Sequence, residues 1–251
     1  MSCAALKPIC LASSFVLAAA PLSAEERWEY TFTGSAWFTG LSSDIETPFG
    51  DLNIDLDFSD IRDILDLALF SSFEARNGRW ALIADLIFAD LGADQNSPFG
   101  GAFRSAEVDT RLTLVSAYGA YSVVDDPGLR IDLGGGLRYS NADLKLRLVG
   151  NMAPTFGRSL SETWVDPLVG ARAQFELSED WYGNVFADIG GFGIGNASDL
   201  TWQAYAGVGY RFNETWSMQV GYRHLSIDRA FDRVDATLEV SGPIIGVQAS
   251  F

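Results

Sequence analysis

Three groups of residues in this 251-residue chain have types and spacings that could do chemistry. His224 is the only histidine, and Ser226 lies two positions on, a separation that puts both side chains on one face of an extended strand. Glu239 begins the next extended segment. A serine hydroxyl becomes a nucleophile when a base takes its proton and an acid orients that base, so His224, Ser226 and Glu239 form a candidate set for hydrolysis of an acyl ester. One spacing of common residue types equally suits a polar end of a strand, and that plainer reading is preferred. Asp55, Asp57 and Asp60 could offer oxygen ligands to Ca²⁺, yet the stretch lacks the glycine and distal glutamate of an EF-hand loop, so solvation of a loop is the simpler reading. Ser59 to Leu67 places Ile61, Ile64 and Leu65 at helical spacing behind a plausible Ser59 cap, which suits a short helix packed on a rim. The run Gly134-Gly135-Gly136 lies inside an extended segment and is no phosphate loop. No cofactor is implied.

The amino terminus reads as an export signal. Lys7 precedes an apolar run from Ile9 to Ala20, and Pro21-Leu22-Ser23-Ala24 ends in a small-x-small pattern before Glu25-Glu26-Arg27. Residues 1–24 are therefore expected to be cleaved, leaving 25–251 as a single domain. Both cysteines, Cys3 and Cys10, fall in the removed segment, so the mature domain would hold no thiol for a disulfide or a metal.

Beyond Glu26 the chain reads as segments of about ten residues with period-two alternation, punctuated by turn signals. Tight turns are expected at Asn77-Gly78, Asp125-Asp126-Pro127-Gly128, Ser178-Glu179-Asp180 and Asn213-Glu214-Thr215. Longer connections, roughly 41–66, 90–106, 142–163, 194–200 and 224–236, alternate strictly with them. The ten segments are 28–40, 67–77, 80–89, 107–123, 129–141, 164–177, 181–193, 202–212, 216–223 and 237–251; a count of eight or twelve stays open. No later segment is an apolar helix of spanning length, and the other backbone that satisfies its own hydrogen bonds in lipid is a closed barrel. The expected fold is thus an all-β, antiparallel up-and-down transmembrane β-barrel with tight turns on one side and longer loops on the other.

Side-chain parity supports this. Trp28, Trp80, Trp181 and Trp216 open strands at the tight-turn edge, and Trp164 and Trp202 open strands at the opposite edge, as interfacial aromatic girdles would. Trp37 disagrees in parity with Tyr30, Phe32 and Phe38, so it faces inward or follows a bulge at Gly34. Assigning the polar parity to the lumen collects Glu74, Asp85, Asp109, Asp132, Asp166, Glu176 and Asp188 with Arg76, Arg111, Arg130, Arg138, Arg172, Arg211 and Arg223. Seven acids meet seven arginines, although the whole chain carries a formal charge of −16. An ion-pair network that fills a narrow lumen is expected, with arginine chosen for its planar fork of donors. The excess acid lies outside: 41–66 holds Asp44, Glu46, Asp51, Asp55, Asp57, Asp60, Asp63 and Asp66 against Arg62, which disfavours nucleic acid and anionic lipid headgroups as direct partners and leaves divalent cations shared with lipopolysaccharide as the bridge.

The last strand ends Gly246-Val247-Gln248-Ala249-Ser250-Phe251, an alternating segment closing on an aromatic residue. Together with Asp188-Ile-Gly-Gly-Phe-Gly-Ile-Gly195, Trp202-Gln-Ala-Tyr-Ala-Gly-Val-Gly-Tyr210 and Gly221-Tyr-Arg223, it resembles small outer-membrane barrels of the OmpA/opacity-like type. That resemblance covers most of 28–251 and implies residence in a Gram-negative outer membrane, lipid and lipopolysaccharide as neighbours, and Phe251 as a signal to the barrel-assembly machinery. It carries no catalytic residues. Val247, Ala249 and Phe251 share a face that Leu238 and Val240 do not, which suggests a bulge near Gly242-Pro243. The expected function is a non-enzymatic envelope or surface protein, or a very narrow pore for small solutes. The alternative is a lipid hydrolase, since a His-x-Ser pair with an acid resembles the catalytic set of outer-membrane lipid A deacylases. An acidic-pair protease is disfavoured because His224 has outward parity.

Overall fold

The computed structural model describes residues 28–47, 50–56, 67–96, 100–231 and 234–251. The export signal, Asp57, Asp60 and the helical spacing between Ser59 and Leu65 lie outside the described residues. Among the described residues no helix is long and apolar enough to cross a membrane.

Ten antiparallel staves close on themselves. They are β1 (Glu29–Phe38), β4 (Leu67–Asn77), β5 (Trp80–Asn96), β6 (Phe103–Asp126), β7 (Leu129–Gly150), β8 (Phe156–Glu176), β9 (Trp181–Gly191), β10 (Leu200–Arg211), β11 (Trp216–Phe231) and β12 (Val234–Ser250), with β12 paired back to β1. β2 (Gly40–Thr47) continues the first stave beyond Thr39 along the outer part of β12, and β3 (Gly50–Leu56) folds back on it. Closure is completed by the last residue: Tyr30 N–H donates to the Phe251 carbonyl at 2.8 Å, and Phe251 N–H donates to the Tyr30 carbonyl at 2.9 Å. Around the membrane-level part of the wall each described stave is therefore paired on both sides, while β3 and the part of β5 beyond Ala89 are paired on one side only.

The tight turns fall where their residues allow. Gly78 (φ 55°) supplies the positive φ of the first hairpin, and Pro127 followed by Gly128 (φ 86°) meets the demands of the second. Asn213 Oδ1 accepts from the amides of Thr215 and Trp216 at 2.9 and 2.8 Å, holding the fourth. These turns lie at the same end of the barrel as Tyr30 and Phe251, the periplasmic side of such an architecture.

At the other end the expected loops are largely strand. β6 and β7 run for 24 and 22 residues, about twice the ~9–11 that cross the hydrocarbon. They meet β8 through a short link, so 142–163 is a tall hairpin; 90–96 with 103–106, 224–231 with 234–236, and 40–47 with 50–56 are likewise extended. β9 and β10, joined through Phe192–Asp199, rise less far.

Each tall strand trades its faces on leaving the membrane. On β7, Leu129, Leu133, Leu137 and Tyr139 are exposed on the outside of the barrel, while Asp132, Arg138 and Ser140 are buried within. Past Ser140 the outer positions become Asn141, Asp143, Lys145 and Arg147, and the inner ones Ala142, Leu144, Leu146 and Leu148. β6 switches at the same level, from Val115, Ala117 and Tyr121 outside to Asp109, Arg111 and Thr113. Below the switch the solvent is lipid and charge turns inward; above it the solvent is water and the ordinary soluble pattern returns.

This switch overturns several sequence expectations. Asp109 and Arg111 lie on the exposed outer wall, not in the lumen, because the polar side of a strand is its outer side once it stands in water. Trp164 is 3 % exposed inside the barrel rather than in a girdle, since it too sits near the switch on the inward parity. Trp28, Trp80, Trp181 and Trp216 are exposed at the periplasmic edge, and Trp202 is exposed at the outer one. No bulge forms near Gly242-Pro243: β11 and β12 stay in unbroken register from Phe231↔Val234 to Trp216↔Ala249, and Leu238 and Val240 face inward because they lie above the boundary. Pro243, which lacks an amide hydrogen, sits where β1 gives way to β2. Trp37 faces inward with no bulge at Gly34.

The boundary can be tested by charge insertion. Leu133→Arg, in the middle of the lipid-facing belt, should lower unfolding stability in liposomes by about 2–4 kcal/mol. Ser161→Arg, on the outer wall of β8 above the switch, should change it by less than about 0.5 kcal/mol. Equal losses in a urea titration of the two variants would place the boundary elsewhere.

Candidate functional site

The lumen has two storeys. The periplasmic storey is polar, and it holds a closed ring of four side chains from three separate parts of the wall. Glu74 and Arg76 come from β4, Asp132 from β7 and Arg172 from β8. Arg76 pairs with Glu74 at 2.8 Å and with Asp132 at 2.7 Å; Arg172 pairs with Glu74 at 2.6 Å and with Asp132 at 2.7 Å. Ser122 adds a hydroxyl donor to Asp132 at 2.6 Å and accepts from Arg76 at 2.8 Å. Each cation touches both anions, so no charge of the ring is left unpaired in a site shielded from bulk water.

Above the ring, Arg138 is fully buried and pairs with Asp188 at 2.8 Å, while Tyr118 donates its hydroxyl to the same carboxylate at 2.8 Å. Gln203 donates to Asp188 and accepts from Arg223, carrying the network across to β11. Arg138 also donates to Ser116 and Thr201, both at 3.1 Å. The Arg223 guanidinium lies over the ring of Phe70 at 4.2 Å and near that of Trp37 at 5.7 Å, at the join between the two storeys.

The outer storey is apolar. Trp37, Ile87, Leu112, Leu114, Leu144, Leu225, Ile227, Leu238, Val240 and Ile244 form one buried cluster inside the barrel. Asp166 sits beside it without an arginine partner: it accepts from Trp164 Nε1 at 2.9 Å and from the backbone and hydroxyl of Ser198 at 2.7 and 3.1 Å. Arg229 lies over Trp164 at 4.6 Å and pairs with Glu162 at 3.1 Å.

The fourteen charges expected to share the lumen therefore divide. Glu74, Arg76, Asp132 and Arg172 form the ring, Arg138 and Asp188 the central pair, and Asp85 and Arg223 border a cavity beneath Phe70. Arg211 with Glu176 (2.6 and 2.7 Å) and Arg130 with Asp125 (3.0 Å) stand at the periplasmic mouth. Arg111 instead pairs on the outer wall with Asp90 at 2.6 Å. Sequence reasoning missed Tyr118, Gln203, Arg229 and the whole apolar storey. The signal was present: Leu144, Leu146 and Leu148 alternate with Asp143, Lys145 and Arg147 inside a stretch read as loop.

His224, Ser226 and Glu239 all lie on the outward face of the wall just above the switch, with Ser226 directly opposite Glu239 in the β11–β12 register. The His224 ring packs, tilted by 34°, against that of Trp202 with centroids 4.5 Å apart. His224 Nε2 is buried without a hydrogen-bond partner, so the base-to-nucleophile bond of a hydrolase is not formed. Asp55 falls in β3, and among the described residues no three His, Cys, Asp or Glu side chains are grouped to hold a metal ion.

The ring predicts an asymmetry of cost. Arg172→Ala should destabilise the barrel by about 3–5 kcal/mol, because it strands buried carboxylates. Arg111→Ala on the outer wall should leave the unfolding midpoint unchanged. Thermal unfolding of the two purified variants in the same detergent makes the comparison, and similar midpoints would remove the ring's structural role.

No family model and no curated protein sequence matches the chain. Solved structures do. The outer membrane protease OmpT from Escherichia coli superposes with a TM-score of 0.60 at 8% identity, covering 89% of this chain and 97% of that one. Neisserial surface protein A (TM-score 0.39, 13% identity, 89% and 97% covered) and Ail, the attachment invasion locus protein of Yersinia pestis (0.39, 11%, 89% and 98%), are similar at a looser level. The fold argument rests on the first. With the closed ten-stave wall and its lipid-facing belt, it makes this chain a small β-barrel of the bacterial outer membrane.

Proposed function

We propose that this barrel is a sealed envelope protein that displays a rigid, water-exposed β-extension at the cell surface and conducts nothing through its lumen. The observation that carries this is the apolar storey. The buried cluster around Trp37, Leu112, Leu114 and Ile227 spans the lumen above the polar network, and an ion would have to shed its hydration to pass it. The tall hairpins of β5 to β8 form the surface feature, with charged outer walls suited to contact with lipopolysaccharide headgroups and their divalent counterions. Residues 1–24 act as the cleaved export signal, and the terminal strand ending in Phe251 presents the assembly machinery with its recognition element. The protein purified from its native membrane should show no unitary conductance in planar bilayers. Reproducible single-channel steps would overturn the sealed reading.

One observation favours a second reading, hydrolysis of an acyl chain of an outer-leaflet lipid. The lipid-facing wall brings His224, Ser226 and Glu239 to the level where lipid ester bonds meet water, with Ser226 registered against Glu239. On this reading Glu239 orients His224, which takes the Ser226 proton once a lipid ester displaces the Trp202 ring. The protease activity of OmpT belongs to that protein; here the single histidine is on the outer wall. Incubation with lipid A followed by mass spectrometry should show loss of an acyl chain with the wild type and none with Ser226→Ala. Unchanged lipid with both would eliminate the hydrolase.

A further inference from the structure

The polar storey is not completely filled. A cavity of about 450 Å³ reaches from the periplasmic turns at Gly128, Asn213 and Thr215 up to Phe70, Tyr118 and Arg223, and the apolar storey closes it above. That volume is within the range of small-molecule sites. Two nearly fully buried charged groups border its inner end with unused hydrogen-bonding atoms. Asp85 is 8 % exposed and its Oδ1 has no partner; Arg223 is 3 % exposed and its Nε has none. A buried carboxylate oxygen without a donor and a buried guanidinium N–H without an acceptor each cost free energy unless something polar fills the gap. They come from β5 and β11, separated in the wall by β4, β1 and β12, and both border the same space. The apolar flank is supplied by Phe70, Tyr205 and Ile244.

We propose that this blind cup is a binding site, open to the periplasm, for a small zwitterion that carries an ammonium and a carboxylate on an apolar body. The ammonium donates to Asp85 Oδ1, the carboxylate accepts from Arg223 Nε, and the apolar part lies against Phe70, Tyr205 and Ile244. The complementarity follows from charge. Asp85 and Arg223 carry opposite signs, so a ligand of matching internal polarity leaves the site neutral, whereas a simple anion or cation would add an uncompensated charge to a shielded interior. Glu29, Asp126 and Glu214 at the mouth would draw the ammonium end in first. This site is independent of lumen conductance and of the outer wall: a closed cup can bind without transporting.

The test uses the full mature barrel in nanodiscs with L-phenylalanine as probe. Phenethylamine carries only the ammonium and 3-phenylpropionate only the carboxylate. Saturable binding of one phenylalanine per barrel is expected by calorimetry, with each half-ligand at least tenfold weaker. Asp85→Asn, close in shape to the original side chain, should weaken phenylalanine at least tenfold while leaving 3-phenylpropionate unchanged. Absence of saturable phenylalanine binding to the wild type at millimolar concentration would overturn the proposal, whether or not the variant folds. Binding of either half-ligand as tight as phenylalanine would also overturn it, because it would show that one of the two charged contacts is unused.

Discussion

The structure depends on one constraint: each long strand crosses from lipid into water, and its two faces must exchange roles where it does so. A strand that kept its charged side inward throughout would expose apolar residues to water above the membrane. One that kept its apolar side inward would press charges into lipid below. β6 and β7 do neither. Their alternation does not break at this level, yet between Leu114 and Ser116, and again between Ser140 and Ala142, the polar residues move from one parity to the other. Strand pairing across this level stays in register, so the switch is written in residue type and not in backbone irregularity.

The two lumen storeys follow from that exchange. Below the boundary the inward residues are the charges that lipid refuses, and they survive burial by closing into rings and pairs: Glu74, Arg76, Asp132 and Arg172, then Arg138 with Asp188. Above it the inward residues are those that water refuses, and they form an ordinary hydrophobic core around Trp37 and Leu112. Arg223 stands at the join, hydrogen-bonded to Gln203 and stacked on Phe70. The result is a barrel whose outer half is built like a soluble protein and whose membrane half is built like one turned inside out. The sealed lumen and the periplasmic cup are two consequences of the same division.

Much of the wall was legible from the amino acids. Glycine at 78 and Pro-Gly at 127–128 marked turns that form there, and the alternation between them set ten staves. Trp80 and Trp181 marked an interface because only an interfacial ring can satisfy both lipid and water. The misplacements have two origins. Asp109 and Arg111 follow a parity rule that presumes lipid on the outside, and both stand beyond the level where lipid ends; Trp164 opens its segment as a girdle residue would, yet it shares the parity of Asp166 and turns inward with it. The apparent bulge near Gly242-Pro243 was the same switch seen on β12.

Taken alone, the chain determined which residues alternate, where it must turn, and that charge and grease occupy opposite faces, since these depend on near neighbours and on the two-residue period of an extended strand. Only the tertiary structure decided how tall the strands stand, which carboxylate meets which guanidinium, and where the lumen is filled or hollow. Those outcomes depend on partners brought together from distant stretches: Glu74 and Arg172 lie 98 residues apart, and Trp37 donates to a carbonyl 205 residues away at Gly242. Closure of the barrel creates both contacts, and no local period encodes them.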